Sequence, residues 1–243
     1  MIRVEGLAKR FGARTVIEGI DLAIAPGERI AIIGPSGTGK STLLRCLNFL
    51  DHPDAGRITV GDLTVDAAHA SRREILALRR RTAFVFQNYA LFANRTARQN
   101  ITEALSVVKR MARAEADARA DAILAEIGLA DRGDAYPAAL SGGQQQRVGI
   151  GRAMALHAEL MLVDEPTSAL DPEWVGEVLD LLRRVAVRHQ TMAIVTHEMQ
   201  FAREIADRVL FMDGGRIVEH GPPEAIFATP RDPRLQAFLR RVG

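Results

Sequence analysis

The stretch Gly34–Pro35–Ser36–Gly37–Thr38–Gly39–Lys40–Ser41 lies between an apolar run, Arg29–Ile33, and a helix-favouring segment, Ser41–Asn48. It fits the pattern G-x-x-x-x-G-K-[ST]. Glycines let successive backbone N–H groups turn inward around phosphate oxygens, and the helix that follows adds the positive end of its dipole. We therefore predict a phosphate-binding loop, in which Lys40 neutralises nucleotide β- and γ-phosphates and Ser41, with Thr42 beside it, faces Mg²⁺. A glycine-rich turn without a ligand is the alternative.

Short apolar runs alternate with helix-favouring segments along the chain, a pattern typical of an α/β fold with a mainly parallel sheet. Together with the loop, this predicts a P-loop NTPase core. Two alternating stretches, Val16–Ala25 and Gly56–Val65, predict an antiparallel β patch near the N-terminus. The segment 89–155 is rich in helix formers and predicts an inserted α-helical subdomain, so that 1–88 and 156–243 form the core. The buried strands that we expect are Arg29–Ile33, Thr82–Phe86, Leu160–Val163 and Met192–Val195.

The composition excludes several classes of protein. Of the 243 residues, 32 are Lys or Arg and 30 are Asp or Glu, so the net charge is only +2 and gives no basic stripe for nucleic acid. A single cysteine, Cys46, permits no internal disulfide and fits a reducing compartment. The longest apolar runs have the length of a strand, and the N-terminus lacks the features of a signal peptide.

Two neighbouring acids, Asp164 and Glu165, follow the apolar run Leu160–Val163. Carboxylates at the carboxyl end of a strand lie where open α/β sheets bind ligands. Adjacent residues leave a strand on opposite sides, so the two acids can have different roles. We expect Asp164 to hold Mg²⁺ and Glu165 to polarise the attacking water as general base. Two solvated acids without function are the alternative.

A second glycine motif, Leu140–Ser141–Gly142–Gly143–Gln144, opens a predicted helix over Gln145–Ala155. A hydroxyl and bare backbone amides at a helix N-terminus form a second anion site. A helix cap without a ligand is the alternative for this motif. A simple kinase with a single phosphate site does not account for two such sites in one chain.

With these motifs in this order, the whole sequence resembles the ATP-binding subunits of ABC transporters. The motif L-S-G-G-Q at residues 140–144 matches that family's signature. The resemblance implies a head-to-tail dimer of two copies, in which the phosphate loop of one and the signature of the other enclose each ATP. Ser141, Gly142, Gly143 and Gln144 would then contact the γ-phosphate across the dimer.

Four further positions match the family pattern. Phe11 occupies the place of an aromatic residue that stacks on adenine, although a core phenylalanine is the alternative. Gln87 matches the Q-loop glutamine that senses Mg²⁺ and couples to the membrane partner. Asp171 lies in the D-loop and also fits an N-cap before Pro172. His197 matches the switch histidine that contacts the γ-phosphate; a metal-protease motif fails because position 201 is Phe.

Within the family, three segments resemble ATPases of polar amino-acid importers, the cystine type in particular. They are Gly56–Ala67, Phe84–Ile101 and Thr196–Phe227. The resemblance implies a peripheral protein on the cytoplasmic face of the membrane, which docks permease subunits near Tyr89–Phe92 and works indirectly with an external solute-binding protein. Two departures are Ala93–Asn94 in place of Pro-His, near the docking segment, and Gly149–Ile150–Gly151 in place of Ala-Ile-Ala.

Other functions remain open at this point. A soluble ABC ATPase acting on DNA or ribosomes would usually carry a coiled-coil insertion or a second cassette, and neither is found here. A small-molecule phosphotransferase would use Lys40 and Asp164 but leaves the motif at 140–144 without a role. An ATPase that drives export, or import of another solute, would retain the same motifs.

Overall fold

The strands of the computed structural model, which describes residues 1–242, form two sheets. A four-stranded antiparallel sheet has the order β2-β1-β4-β5, and a six-stranded sheet has the order β10-β9-β3-β8-β7-β6. The strands are β1 Ile2–Phe11, β2 Arg14–Ile24, β3 Arg29–Ile33, β4 Ala55–Val60, β5 Leu63–Asp66, β6 Thr82–Val85, β7 Leu160–Asp164, β8 Met192–Val195, β9 Arg208–Asp213 and β10 Arg216–Gly221.

Helices cover both faces of the six-stranded sheet. They are α1 Lys40–Leu47, α2 Arg72–Arg81, α3 Ala97–Glu103, α4 Arg113–Glu126, α5 Gly142–Ala155, α6 Pro172–Ala186, α7 Met199–Ile205, α8 Pro223–Ala228 and α9 Pro233–Val242. A π-helical stretch, Ala104–Val108, continues α3. Among residues 1–242, none of these helices combines the length and the apolar character needed to cross a bilayer.

The central strands are apolar along their whole length because both of their faces are buried. Alternate residues of β3 point to opposite faces. Ala31 and Ile33 join a core cluster with α3–α7, whereas Ile30 and Ile32 join a second cluster with α1 and the antiparallel sheet. The sheet is therefore sandwiched between two hydrophobic layers.

The parallel pairing decides where function can lie. Strands β3, β8, β7 and β6 run parallel in that order. Their carboxyl ends therefore meet at one edge of the sheet, where open α/β sheets bind ligands. The loops that follow these four strands carry the phosphate loop, Gln87, Glu165 and His197.

Most predicted strands are confirmed within one residue, but the antiparallel patch was incomplete. It contains β1, which the sequence analysis missed, and Gly56–Val65 is two strands that turn at Gly61. Register shifts and a positive φ of 58° at Gly6 interrupt the alternation of β1, so its period-2 pattern is weak.

The helix after the second glycine motif begins at Gly142, not at Gln145 as predicted. Glycine has low helix propensity, which favoured the later start. Ser141 and Gln144 nevertheless form a reciprocal capping box, which fixes the first turn in front of the two glycines. Gly149 and Gly151 of this helix are buried packing positions rather than exposed flexible ones. A Cβ at Gly151 would lie 3.0 Å from Ile127 Cδ1.

Candidate functional site

The phosphate loop requires glycine at two positions. Gly34 follows β3 with φ of 146°, and a Cβ there would lie 2.1 Å from the carbonyl oxygen of Met212. Gly39, the N-cap of α1, has φ of 98°, and a Cβ there would lie 2.6 Å from the carbonyl oxygen of Val16. Both neighbours are backbone atoms that cannot move aside. The loop therefore presents backbone amides without side chains in front of them.

Lys40 is buried inside this loop. Its Nζ donates to the carbonyl oxygens of Gly34 and Pro35, each at 2.8 Å. Burial lowers the pKa of Lys40, while the carboxylates of Glu165 and Asp164 oppose that effect. The ammonium group is thus held at the loop, where it can neutralise bound phosphate.

Asp164 and Ser41 form an oxygen pair beneath the loop. The Ser41 hydroxyl donates to Oδ1 of Asp164 at 2.6 Å, and the guanidinium of Arg45 lies 3.5 Å from Oδ2. Burial raises the pKa of Asp164, although the bonds from Ser41 and Arg45 oppose the shift. A carboxylate and a hydroxyl next to a phosphate site are the hard oxygen ligands that suit Mg²⁺.

Gln87, Glu165 and His197 come together from the ends of three strands. His197 Nε2 donates to Oε1 of Glu165 at 2.9 Å, since an ionised carboxylate can only accept. Gln87 Nε2 donates to Oε2 of the same carboxylate at 3.4 Å. Glu165 has a positive φ of 44°, a conformation that is uncommon for residues other than glycine. The cluster therefore centres on Glu165.

A cavity of about 460 Å³, here called the phosphate-loop cavity, lies against the loop and reaches this cluster at Glu165. Eight of its lining residues were predicted to bind ATP or to act on it: Phe11, Ser36, Gly37, Gly39, Lys40, Ser41, Thr42 and Glu165. Of the remaining loop residues, Gly34 and Pro35 line a neighbouring cavity of about 390 Å³, which also contains His197. The Thr38 hydroxyl donates to the Pro35 carbonyl and braces the loop.

Phe11 is not a core residue, so that alternative was wrong. It is 49% exposed at the mouth of the phosphate-loop cavity, with Lys9 Nζ 4.9 Å from its ring centroid. An exposed aromatic ring at the entrance of a cavity offers a flat face to a base. The structure thus leaves this side chain free to stack.

Sequence reasoning missed Arg14 and Val16, which also line the cavity. Arg14 pairs with Phe11 across the β1–β2 hairpin and donates to the carbonyl oxygen of Gly37 at 3.4 Å. The signal was available, because a short turn at Gly12 brings Arg14 opposite Phe11. It was lost because β1 itself was not recognised.

The second glycine motif does not line the phosphate-loop cavity. A Cβ at Gly142 would lie 2.8 Å from Tyr89 Oη, and one at Gly143 would lie 2.7 Å from Trp174 Cβ. Both glycines therefore allow close packing as well as exposing backbone. Asp171 is the N-cap of α6 before Pro172, as predicted, but its side chain makes no capping hydrogen bond.

The comparison with family models decides the identity of this arrangement. Residues 17–168 match the model described as ABC transporter. The chain belongs to the ABC transporter family. Its match to the model runs from β2 through the phosphate loop, the signature motif and the two acids into the D-loop.

ABC relatives match over the full length of the chain. The L-cystine transport system ATP-binding protein TcyN of Escherichia coli (strain K12) is 54% identical, over 99% of this chain and 97% of that protein. The probable amino-acid import ATP-binding protein YxeO of Bacillus subtilis (strain 168) is 51% identical, over 100% of this chain and 98% of that protein. ATP binding is therefore a property of this family of chains.

A solved ABC structure has the same fold. The dimeric post-hydrolysis state of an ATP-binding cassette, bound to ADP and Pi, superposes with a TM-score of 0.81 and 31% identity. The alignment covers 92% of this chain and 99% of that one. That cassette is a dimer. A dimer agrees with the position of the signature motif in the present chain, where it lies outside the phosphate-loop cavity.

Proposed function

We propose that this chain is the ATP-hydrolysing subunit of an importer for polar amino acids, of the cystine type, and that it drives a separate membrane permease. The observation that carries the ATPase assignment is the cluster of Gln87, Glu165 and His197 at the edge of the phosphate-loop cavity. The amino-acid assignment is supported by the full-length similarity to the cystine and amino-acid import ATP-binding proteins.

In the proposed reaction, water attacks the γ-phosphorus of ATP. A P–O bond forms to that water as the bond to the β–γ bridging oxygen breaks, and ADP leaves. Glu165 accepts the proton of the water, while His197 orients the carboxylate and faces the γ-phosphate. Lys40 and the loop amides stabilise the charge on the phosphates, and Phe11 stacks on adenine.

The donor set around Asp164 fits Mg²⁺. Ser41 and Asp164 would hold the ion, with Gln87 as a further oxygen ligand. When bound, Mg²⁺ would neutralise charge on the β- and γ-phosphates. Ser41 and Asp164 already lie 2.6 Å apart, so these two side chains need little rearrangement to face one ion.

The working unit that we propose is a head-to-tail homodimer. Each ATP would lie between the phosphate loop of one copy and the residues Ser141–Gln144 of the other, with Asp171 of the D-loop near the dimer contact. This accounts for a signature motif that is remote from the phosphate-loop cavity in one chain. The dimeric cassette of the same fold supports this arrangement.

The segment Tyr89–Phe92 is the proposed contact with the permease. The segment follows β6 and Gln87 in the chain, and the Phe92 side chain is exposed. In this proposal, residues 1–88 and 156–243 are the ATP-binding core, and 89–155 are a helical subdomain that carries the contact. The protein would then be peripheral to the cytoplasmic face of the membrane, and an external binding protein would deliver the solute to the permease.

Uptake by intact cells tests this function. We would compare wild-type cells with a chromosomal Glu165→Gln replacement across a panel of labelled amino acids that includes cystine. Loss of uptake for one class would support the proposal and identify the solute. Glu159→Gln is the matched control, because Glu159 precedes β7 at its other end and pairs with Arg81. Unchanged uptake of every solute, with the variant protein present at normal abundance, would contradict the importer assignment.

A further inference from the structure

The signature helix α5 holds the Q-loop on both sides of Gln87. Gln146 of this helix is fully buried, and its Nε2 donates to the carbonyl oxygen of Phe86 at 3.3 Å. Arg152, near the end of the same helix, donates to the carbonyl oxygens of Ala90 at 2.8 Å and Tyr89 at 3.3 Å. The backbone before and after Gln87 is thus fixed to one rigid element.

The backbone that Arg152 holds is in an unfavourable conformation. Tyr89 and Ala90 have positive φ values of 56° and 48°, which residues with a Cβ adopt only where their surroundings impose it. Gly149 lets the helix come close to this loop, since a Cβ there would lie 3.3 Å from the carbonyl oxygen of Tyr89. Helix α5 therefore supplies both the space and the hydrogen bonds that the strained loop needs.

Burial of the Arg152 and Gln146 side chains at this position is electrostatically unfavourable. Arg152 is half-buried, which lowers its pKa, and the carbonyls of Tyr89 and Ala90 compensate its charge together with the Phe92 ring, 5.8 Å away. Gln146 Oε1 is buried and, within residues 1–242, has no hydrogen-bond partner. The hydrogen bonds that these two side chains do make go to the Q-loop, from Nε2 of Gln146 and from the guanidinium of Arg152.

The position of the Gln87 side chain depends on the loop that α5 holds. The bond from Gln87 Nε2 to Glu165 Oε2 is already long, at 3.4 Å, so a small displacement of the loop breaks it. We propose that Gln146 and Arg152 are positioning residues that hold Gln87 against Glu165. The inference rests on the roles proposed above for Gln87 and Glu165, and extends them to two side chains that do not line the phosphate-loop cavity.

Arg147 of the same helix provides a matched control. Its guanidinium donates to the carbonyl oxygen of Ile127 at 3.1 Å and pairs with Glu177 at 3.3 Å. It therefore fixes α5 to the helical segment and to α6, without touching the Q-loop. A lysine at either arginine keeps the charge but loses the planar pair of donors.

The test is a double-mutant cycle on ATP hydrolysis by the purified chain. Arg152→Lys should lower kcat about tenfold, with little change in KM for ATP, because it displaces Gln87 and not the nucleotide. In a Gln87→Ala background the same substitution should have no further effect. The effect of Arg147→Lys on kcat should instead be the same factor with or without Gln87→Ala, as expected of an independent structural contact.

Two results would overturn the proposal in distinguishable ways. In the first, Gln87→Ala slows hydrolysis, but Arg152→Lys either leaves kcat unchanged or lowers it by the same factor in both backgrounds. The positioning role is then wrong, while the role of Gln87 stands. If Gln87→Ala itself leaves hydrolysis unchanged, the proposed function of Gln87 fails, and the positioning role fails with it.

Gln146→Met provides a second route if Arg152→Lys does not fold. Methionine keeps the unbranched shape of glutamine, removes the donor to Phe86 and also removes the unpaired Oε1. We expect this variant to fold, to lower kcat in the same non-additive way, and to speed amide hydrogen exchange over residues 87–92 alone. Unchanged exchange in that segment would contradict the proposal.

Discussion

His197 and Glu165 are joined by a hydrogen bond of 2.9 Å between the histidine Nε2 and the carboxylate Oε1. The relationship follows from sheet register. Strands β7 and β8 are parallel neighbours in which Asp164 pairs with Val195, so both residues lie just beyond the same edge. The Glu165 amide also donates to the Val195 carbonyl at 2.9 Å, which fixes the backbone at its positive φ. The carboxylate is thus oriented before any ligand arrives.

Glu165→Gln should keep ATP binding and lose most hydrolysis. Glutamine has the same shape but cannot accept the proton of the attacking water, and general-base catalysis typically contributes about 10²–10⁴-fold. The variant should therefore accumulate as an ATP-bound dimer. Phosphate release measures the rate, and size-exclusion chromatography with ATP measures the dimer. A wild-type rate would show that Glu165 is not the base.

Phe11→Ala should weaken ATP binding about 5- to 150-fold and leave the rate at saturating ATP nearly unchanged. Loss of one stacked aromatic face costs about 1–3 kcal/mol in comparable base contacts. Because the ring is 49% exposed, its removal should not change the unfolding midpoint. Leu76→Ala removes a side chain of similar exposure, 46%, on α2 away from the cavity. Titration of both variants with a fluorescent ATP analogue checks this, and equal affinities would exclude stacking.

The sequence predicted the residues proposed to act on the γ-phosphate better than those beside the proposed adenine position. The apolar strands β3, β7 and β8 are strong signals, and a candidate site residue follows each of them within seven residues, so parallel pairing places Lys40, Glu165 and His197 at the same edge of the sheet. Arg14 and Val16 depend on the register of a bulged hairpin. The short turn at Gly12 sets the pairing of Arg14 with Phe11, but the bulges of β1 hide its alternation, so the strand on which that pairing depends was not recognised.

The contacts of helix α5 with the Q-loop could not be predicted from the sequence either. The residues Gln146 and Arg152 follow the signature in the chain, yet they hold a loop that ends about sixty residues earlier, with separations of 60 and 62. Nothing in the helical pattern distinguishes Arg152 from Arg147, which contacts Ile127 instead. Only the packing of α5 against the Q-loop separates the two arginines.

Asp207→Asn should reduce stability at neutral pH, and the difference from wild type should vanish in acid. The guanidinium of Arg29 donates to Asp207 at 2.9 and 2.6 Å, which lowers the pKa of Asp207 in the folded state. A lowered folded pKa gives stability that is present above the unfolded value and lost as pH falls through the folded one. The carboxylate is 43% exposed, so solvent screening limits the effect to about 1 kcal/mol.

Urea unfolding of wild type and Asp207→Asn from pH 7 down to pH 3 tests this. The difference should be constant near neutrality and should shrink below about pH 4, where Asp207 in the unfolded chain becomes protonated. Asp62→Asn breaks the contact with Arg81, where the carboxylate is far more exposed, and should give a smaller difference at every pH. A difference that grows towards low pH would have the wrong sign for this ion pair.

Ser141→Arg should allow ATP binding but prevent ATP-dependent dimerisation. The Ser141 hydroxyl accepts from the Gln144 amide and caps α5, so the substitution also costs about 1 kcal/mol of stability. That cost must be separated from the loss of the surface that would meet the partner's ATP. Ser71→Arg is the matched control, because Ser71 and Glu74 form the same capping box on α2. Both variants should lose a similar amount of thermal stability and bind ATP alike. Only Ser141→Arg should remain monomeric in a Glu165→Gln background with ATP, as measured by light scattering.

A normal dimer with Ser141→Arg would rule out the head-to-tail arrangement, whereas failure of both variants to dimerise would trace the effect to the lost cap.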